Sequence, residues 1–322
     1  MNKSIPVIGF VILAVMSLLV YGYAAYDAWT LQPVVGIVLT LGVIGILFTL
    51  LNESKALAAA KTDALFSNKN ILSFVAVVAG ALLSHWINVD LKLGLVVGSA
   101  VVGLAAAVLF PDYAVPAYTG SFVGMAGVKL LPGYPQLAMA AMIAGIVYIL
   151  ALAVFGGFGG KLGTIAASGC AFTGLCLSTE FTHPGVPAWN LGTLLVITSV
   201  VAAVVTYYLN NNRKQGPVLA SAVVGLIAGV LLPKLPGLAE GVGSTLGVMA
   251  ICASFAGMSN TKRMPSWIPM AFVGLAASLV YMFANPFIGG TGGKLGTIAF
   301  GSNMAIRGLM DLVAKFQGSK KT

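Results

Sequence analysis

The chain has 322 residues, of which 59% are hydrophobic and 8% charged, against about a quarter charged in an ordinary soluble domain. A soluble fold has too little interior for that much apolar surface, and apolar blocks of roughly 18–22 residues suit helices crossing a bilayer rather than the alternating strands of a β-barrel. The net charge of +9 does not argue for nucleic acid, because the lysines and arginines fall mostly in short connections and the tail, where they orient helices during insertion.

Taken in chain order, the pattern predicts an all-α polytopic membrane protein of about twelve membrane elements: 5–26, 34–52, 71–88, 92–110, 113–131, 137–156, 159–178, 191–209, 217–235, 240–259, 268–287 and 292–313. The opening 25 residues resemble a signal peptide, but the apolar run is long enough to read as a retained first helix. The connection 52–70, NESKALAAAKTDALFSNKN, suits either a helix lying on the membrane face or a solvated loop helix. Elements 113–131 and 240–259 are rich in Gly, Ser and Thr, and the first carries Pro116. These two, with 159–178 and 292–313, are less secure as full crossings and are candidates for broken or re-entrant helices, so that the expected count is 10–12 spans. Cys170, Cys176 and Cys252 lie in apolar or small-residue surroundings without paired metal-ligand spacing, and are expected to be small core residues.

With all elements crossing and the N-terminus cytoplasmic, thirteen of the seventeen lysines and arginines fall inside. Lys92, Lys129, Lys234 and Lys294 fall outside. Making the four doubtful elements re-entrant would move Lys262 and Arg263 outside, which weakens that version.

The chain repeats itself. GGFGGKLGTIA at 156–166 matches GGTGGKLGTIA at 289–299 at every position but one. At the same offset of 133 residues, SFVGMAGVKLLP (121–132) faces SFAGMSNTKRMP (254–265). Upstream, SAVVGLAAAVLFP (99–111) faces SAVVGLIAGVLLP (221–233) at an offset of 122, so the second copy carries 11 extra residues between those blocks. The expected organisation is two leading helices and a cytoplasmic linker (1–70), a first repeat (71–180), a second (191–314) and a basic cytoplasmic tail (315–322). Five elements per repeat is an odd number, so the second copy would enter the membrane from the opposite face, giving an inverted pair about an axis in the membrane plane.

Inverted repeats of this kind place a solute path between their halves, and interrupted helices in matching positions point to it. Gly159, Gly160, Lys161 and Thr164, with Gly292, Gly293, Lys294 and Thr297, are therefore candidate path residues. Two glycines give a Cβ-free entrance to a helix whose free N–H groups and positive dipole end favour an anion, and the lysine adds a full charge. Each threonine, three residues on, would share its lysine's face, and the two entrances would form sites or gates at opposite mouths of the path. The competing account is close packing of small residues with each lysine snorkelling as an anchor. Ser121 and Ser254 are candidate polar contacts, and Phe122 and Phe255 a candidate constriction, against the simpler account of a tight crossing.

The acidic residues all map to loops or element ends, and His85 and His183 lie toward element ends, which gives a buried proton relay little support. Asn285, before Pro286, is a candidate polar group of an interrupted helix. Ser178, Glu180 and His183 sit together, but nearness in sequence is not catalytic geometry and the second copy has no counterpart. The expectation is thus a non-enzymatic inner (plasma) membrane permease or channel, without cofactor or metal. It would pass a small solute, an anion in preference to a neutral molecule. Its expected partners are the solute and the bilayer, not nucleic acid, with self-association into a homo-oligomer compatible. The alternatives are a neutral-solute channel, or a membrane scaffold or complex subunit that transports nothing.

Overall fold

A computed structural model describes residues 4–57 and 67–319. The described residues form twelve α-helices: α1 (Ser4–Leu31), α2 (Pro33–Leu57), α3 (Asn68–His85), α4 (Leu95–Leu109), α5 (Ala114–Val123), α6 (Tyr134–Leu150), α7 (Lys161–Cys176), α8 (Trp189–Tyr207), α9 (Pro217–Leu231), α10 (Val242–Gly257), α11 (Trp267–Phe283) and α12 (Lys294–Ser319). Their sole extended pairing is one isolated bridge, Thr182 with Gly289. Helix starts follow local chemistry: Pro33 and Pro217 occupy first positions where no N–H is needed, and the Ser67 hydroxyl accepts from the Asn70 amide at the head of α3.

Length separates the helices into classes. α1, α2, α3 continued to Asp90, α8 continued to Asn212 and α9 continued to Lys234 are long and apolar enough to cross a membrane; α4, α6, α10 and α11 are apolar but shorter. Twelve membrane-length elements are therefore more than the helix lengths supply. The clearest departure is α5, whose ten residues span about 15 Å, half of the hydrocarbon core. It ends at Val123, where glycine-containing turns replace the helix expected to run to 131. The 52–70 connection also divides differently: α2 runs through Leu57 and α3 starts at Asn68. A surface helix there falls largely on 58–66, outside the described residues, as do Lys320 and Lys321 of the tail. The first part of that tail is the last turn of α12.

Apolar side chains face outward where lipid would lie. Val7, Val11, Val15 and Leu19 of α1 are each about half exposed at four-residue spacing, and Ile37, Leu41, Ile44, Leu47 and Leu51 mark α2 in the same way. Such stripes fit embedding in a bilayer. The inner face of this hairpin belongs to the bundle. Phe10 stacks on Phe155 and Tyr23 on Phe287, while Thr49 donates to the Met304 carbonyl at 2.8 Å where α2 lies on α12.

Local geometries recur in pairs at the spacings of the sequence matches. At an offset of 122, π-helical turns close α3 (Trp86–Asp90) and α8 (Tyr208–Asn212). Asn88 and Asn210 in those turns donate to the Gly124 and Gly257 carbonyls at 3.4 and 3.5 Å. At an offset of 133, the Gly127 amide donates to Gly290 O at 2.9 Å and the Asn260 amide to Gly157 O at 3.0 Å. Several of these pairs also touch each other: Gly103 of α4 lies against Ala222 of α9 as Gly225 of α9 lies against Ala100 of α4.

The tightest of these meetings is α7 with α12. Gly163 and Gly296 are the third residues of their helices, and their backbones are in contact. A Cβ on Gly163 would stand 2.9 Å from the Gly293 carbonyl oxygen, with backbone rather than a movable side chain in the way. Gly163→Ala is therefore expected to destabilise the protein by about 1–3 kcal/mol, read as a lower unfolding midpoint in detergent. Gly156→Ala, where nothing lies within 4 Å of the added atom, should leave that midpoint unchanged; equal effects at the two sites would show that the crossing is not close-packed.

Candidate functional site

Both GGKLGTIA strings build the same local device. Gly160 adopts φ +83° and Gly293 φ +84°, a left-handed conformation that glycine alone takes without strain, so the chain turns sharply and α7 and α12 start at the following lysine. The expected glycine entrance is thus present twice. The two entrances are not, however, apart at opposite mouths. They abut, because a Cβ on Gly160 would meet the Gly296 carbonyl and one on Gly293 would meet the Gly163 carbonyl.

The lysines turn back onto the helices that precede them. Lys161 Nζ donates to Ala151 O and Val154 O, each at 2.6 Å, where α6 ends and its last carbonyls lack helical partners. Lys294 Nζ donates to Asn285 O at 3.0 Å just beyond α11. An ammonium has three donors, so Lys161 is largely satisfied and Lys294 keeps two unused. Thr164 and Thr297 are buried and fold onto their own helices, each 3.4 Å from the carbonyl of the preceding glycine (Gly160 and Gly293), so neither hydroxyl shares a surface with its lysine.

The serine and phenylalanine candidates form a packed centre. Ser121 donates to Tyr118 O and meets Ser99 of α4 at 2.8 Å. Ser254 donates to Ile251 O and meets Ser221 of α9 at 2.8 Å, and Tyr118 Oη completes the chain to Ser221 at 3.0 Å. Phe122 and Phe255, equivalent in the two copies, touch with ring centroids 4.3 Å apart. All four candidates are buried. Of the twelve candidate path residues, Gly293 and Lys294 line a cavity, while Lys161 is partly exposed and the serines, phenylalanines and threonines are buried.

The copies differ around these entrances. Next to the first, Phe158 is buried and the Arg263 guanidinium lies over its ring at 4.2 Å. Arg263 also donates to Gly156 O at 2.9 Å and grips Glu53 of α2 with both nitrogens, at 2.6 and 3.0 Å. Beneath this, the Gly159 amide donates to Ser259 Oγ, which donates to Asn303 Oδ1 at 2.8 Å; Asn303 Nδ2 reaches the Gly159 carbonyl at 3.3 Å. These contacts stitch 156–160, 257–263, α2 and α12 together.

At the positions 133 residues away the same fastenings are missing. Leu130 stands for Arg263, Ala126 for Ser259, Cys170 for Asn303 and Thr291 for Phe158. A cavity of about 170 Å³ occupies that region, lined among others by Lys294, Thr291, Tyr281 and Asn285. Thr291 is 7% exposed, and its hydroxyl has no hydrogen-bond partner among the described residues. The Asn285 amide is engaged, donating to Gly185 O at 2.7 Å, and His183 Nδ1 meets Pro286 O at 2.8 Å.

Sequence reasoning missed Glu53, Arg263, Asn303, Ser259 and Thr291. The signal for Thr291 was on the page: it is the one mismatch in the eleven-residue match. Cys170 and Cys252 are buried as expected, while Cys176, at the end of α7, is exposed.

The bidentate pair and the stacked ring should act as a unit. In a double-mutant cycle of Arg263→Gln and Glu53→Gln, thermal unfolding is expected to give a coupling of roughly 1–2 kcal/mol. Additive effects would mean that the pair holds nothing together. No protein-family model, curated protein or solved structure matches this chain.

Proposed function

We propose that the chain is an integral membrane transporter or channel for a small solute, an anion in preference to a neutral molecule, moving between two inverted halves. One observation carries the reading. Two helices begin at lysines, one partly exposed (Lys161) and one buried (Lys294), their N-termini meeting at Gly163 and Gly296, with a fastened side at Phe158 and Arg263 and a cavity at Thr291 and Lys294. Convergent helix N-termini concentrate positive potential where water is scarce. Closure on one side with space on the other is the arrangement that a gated path requires.

The paired geometries at offsets of 122 and 133 support the division into repeats 71–180 and 191–314, and their mutual contacts are those expected across a two-fold axis. The Glu53–Arg263 pair brings the loop after α10 to the end of α2, supporting the orientation with Lys262 and Arg263 on the cytoplasmic side, together with both termini. The same charge distribution favours a multi-pass protein of the inner (plasma) membrane. The reaction class is passage rather than chemistry, and the chain is not an enzyme on this reading.

A neutral-solute channel is favoured by one observation, the two short bonds of Lys161 to the end of α6, which make that lysine a helix anchor. The two accounts separate by flux into proteoliposomes with a panel of small anions and neutral solutes. Anion flux above protein-free vesicles, reduced at least tenfold by Lys294→Ala in a folded protein, is the expected result. Lys161→Ala should act chiefly by lowering the unfolding temperature. Neutral-solute flux indifferent to Lys294→Ala would demote both lysines to anchors, and no flux of any solute would favour a scaffold.

A further inference from the structure

We infer that the cavity at Thr291 and Lys294 is a binding site for one small anion per chain, with Lys294 Nζ and the Thr291 hydroxyl as its two donors. The inference rests on the transport reading for its purpose, but not for its chemistry. A buried ammonium is tolerated when it is paired, and an unpaired one is costly. Lys294 is 8% exposed, has a single carbonyl partner and takes part in neither of the ion pairs among the described residues. No residue lining the cavity is acidic. A small anion entering the cavity would supply the counter-charge that no lining residue provides.

Thr291 supplies the second, independent observation. A buried hydroxyl without a partner loses the hydrogen bonds it made in water and regains nothing. Thr291 is part of the same cavity lining as Lys294, so a ligand offering two acceptor atoms would satisfy both groups once the threonine side chain turns to meet it. Tyr281 adds a phenol to the lining, and Asn285 an amide that uses one of its two N–H groups on Gly185 O. The pocket volume of about 170 Å³ is enough to seat a compact carboxylate or an inorganic oxyanion.

The duplication provides an internal control. The first copy has the same glycines, lysine and threonine, yet Phe158 stands where Thr291 does, filling the space beneath Arg263, and Lys161 spends two donors on carbonyls. One letter in eleven thus distinguishes a plugged entrance from an open one, and the ligand count is one.

The test is equilibrium binding of formate, acetate and nitrate to the full chain in detergent, with flux of the same ions measured in proteoliposomes. Saturable binding of one ion per chain is expected. It should weaken about tenfold in Thr291→Val, which removes a single hydrogen bond, and vanish in Lys294→Met and in Thr291→Phe, which copies the plugged entrance. Thr291→Val changes no volume, so it decides the matter if the phenylalanine variant does not fold. Wild-type binding that is lost in these variants but accompanied by no flux would support the site and overturn the transport reading. Anion flux or binding that survives Thr291→Val and Lys294→Met unchanged would overturn the site while leaving transport standing.

Discussion

Everything in this fold depends on how closely two helix backbones approach at Gly163 and Gly296. Within a bilayer there is no hydrophobic gain from pressing one apolar helix against another, so association relies on van der Waals contact and hydrogen bonds, both of which need small residues. The third residue of α7 meets the third residue of α12 without side chains between them. That crossing fixes where both helices begin, and so brings two positive helix ends, each carrying a lysine, against one another. With larger residues at these glycines the helices would stand further apart and the entrances would no longer abut.

From this shared crossing the two sides diverge in chemistry. Near Phe158 the polar groups are fastened to one another: Arg263 holds a ring, a carbonyl and a carboxylate, and Asn303 holds the loop backbone through Ser259. Near Thr291 the equivalent residues are Leu130, Ala126 and Cys170, which offer no strong donor or acceptor, and what remains is space with two underused polar groups. A symmetric backbone carries an asymmetric set of fastenings. On the proposed transport reading, these few side chains would set the energetic difference between closing one side and closing the other.

The sequence made the large features legible because their causes are local. Apolar blocks marked most helices, and glycine pairs marked the turns before Lys161 and Lys294. Comparing the copies aligned elements that sit in matching geometries. It failed where tertiary partners decide. Element 113–131 could be read as a full crossing or as a broken or re-entrant helix; α5 stops at Val123, where the Gly124 backbone comes up against α3 at Ala81 and His85, a contact that no local pattern announces. Thr164 and Thr297 pointed at their lysines on a helical wheel, whereas a buried threonine hydroxyl finds the carbonyl one turn back. Glu53 appeared to be a linker charge, since nothing in one dimension brings it to Arg263, 210 positions away.

The central claim is that the two halves are related by inversion across the membrane. Lys129 and Lys262 are equivalent residues 133 positions apart, and both are exposed. Replacing each singly by cysteine, in a background without Cys170, Cys176 and Cys252, and treating sealed vesicles of known orientation with a membrane-impermeant thiol reagent gives the most direct test. Labelling of position 262 from the cytoplasmic face and of position 129 from the opposite face is the predicted result. Labelling of both from the same face would contradict the account.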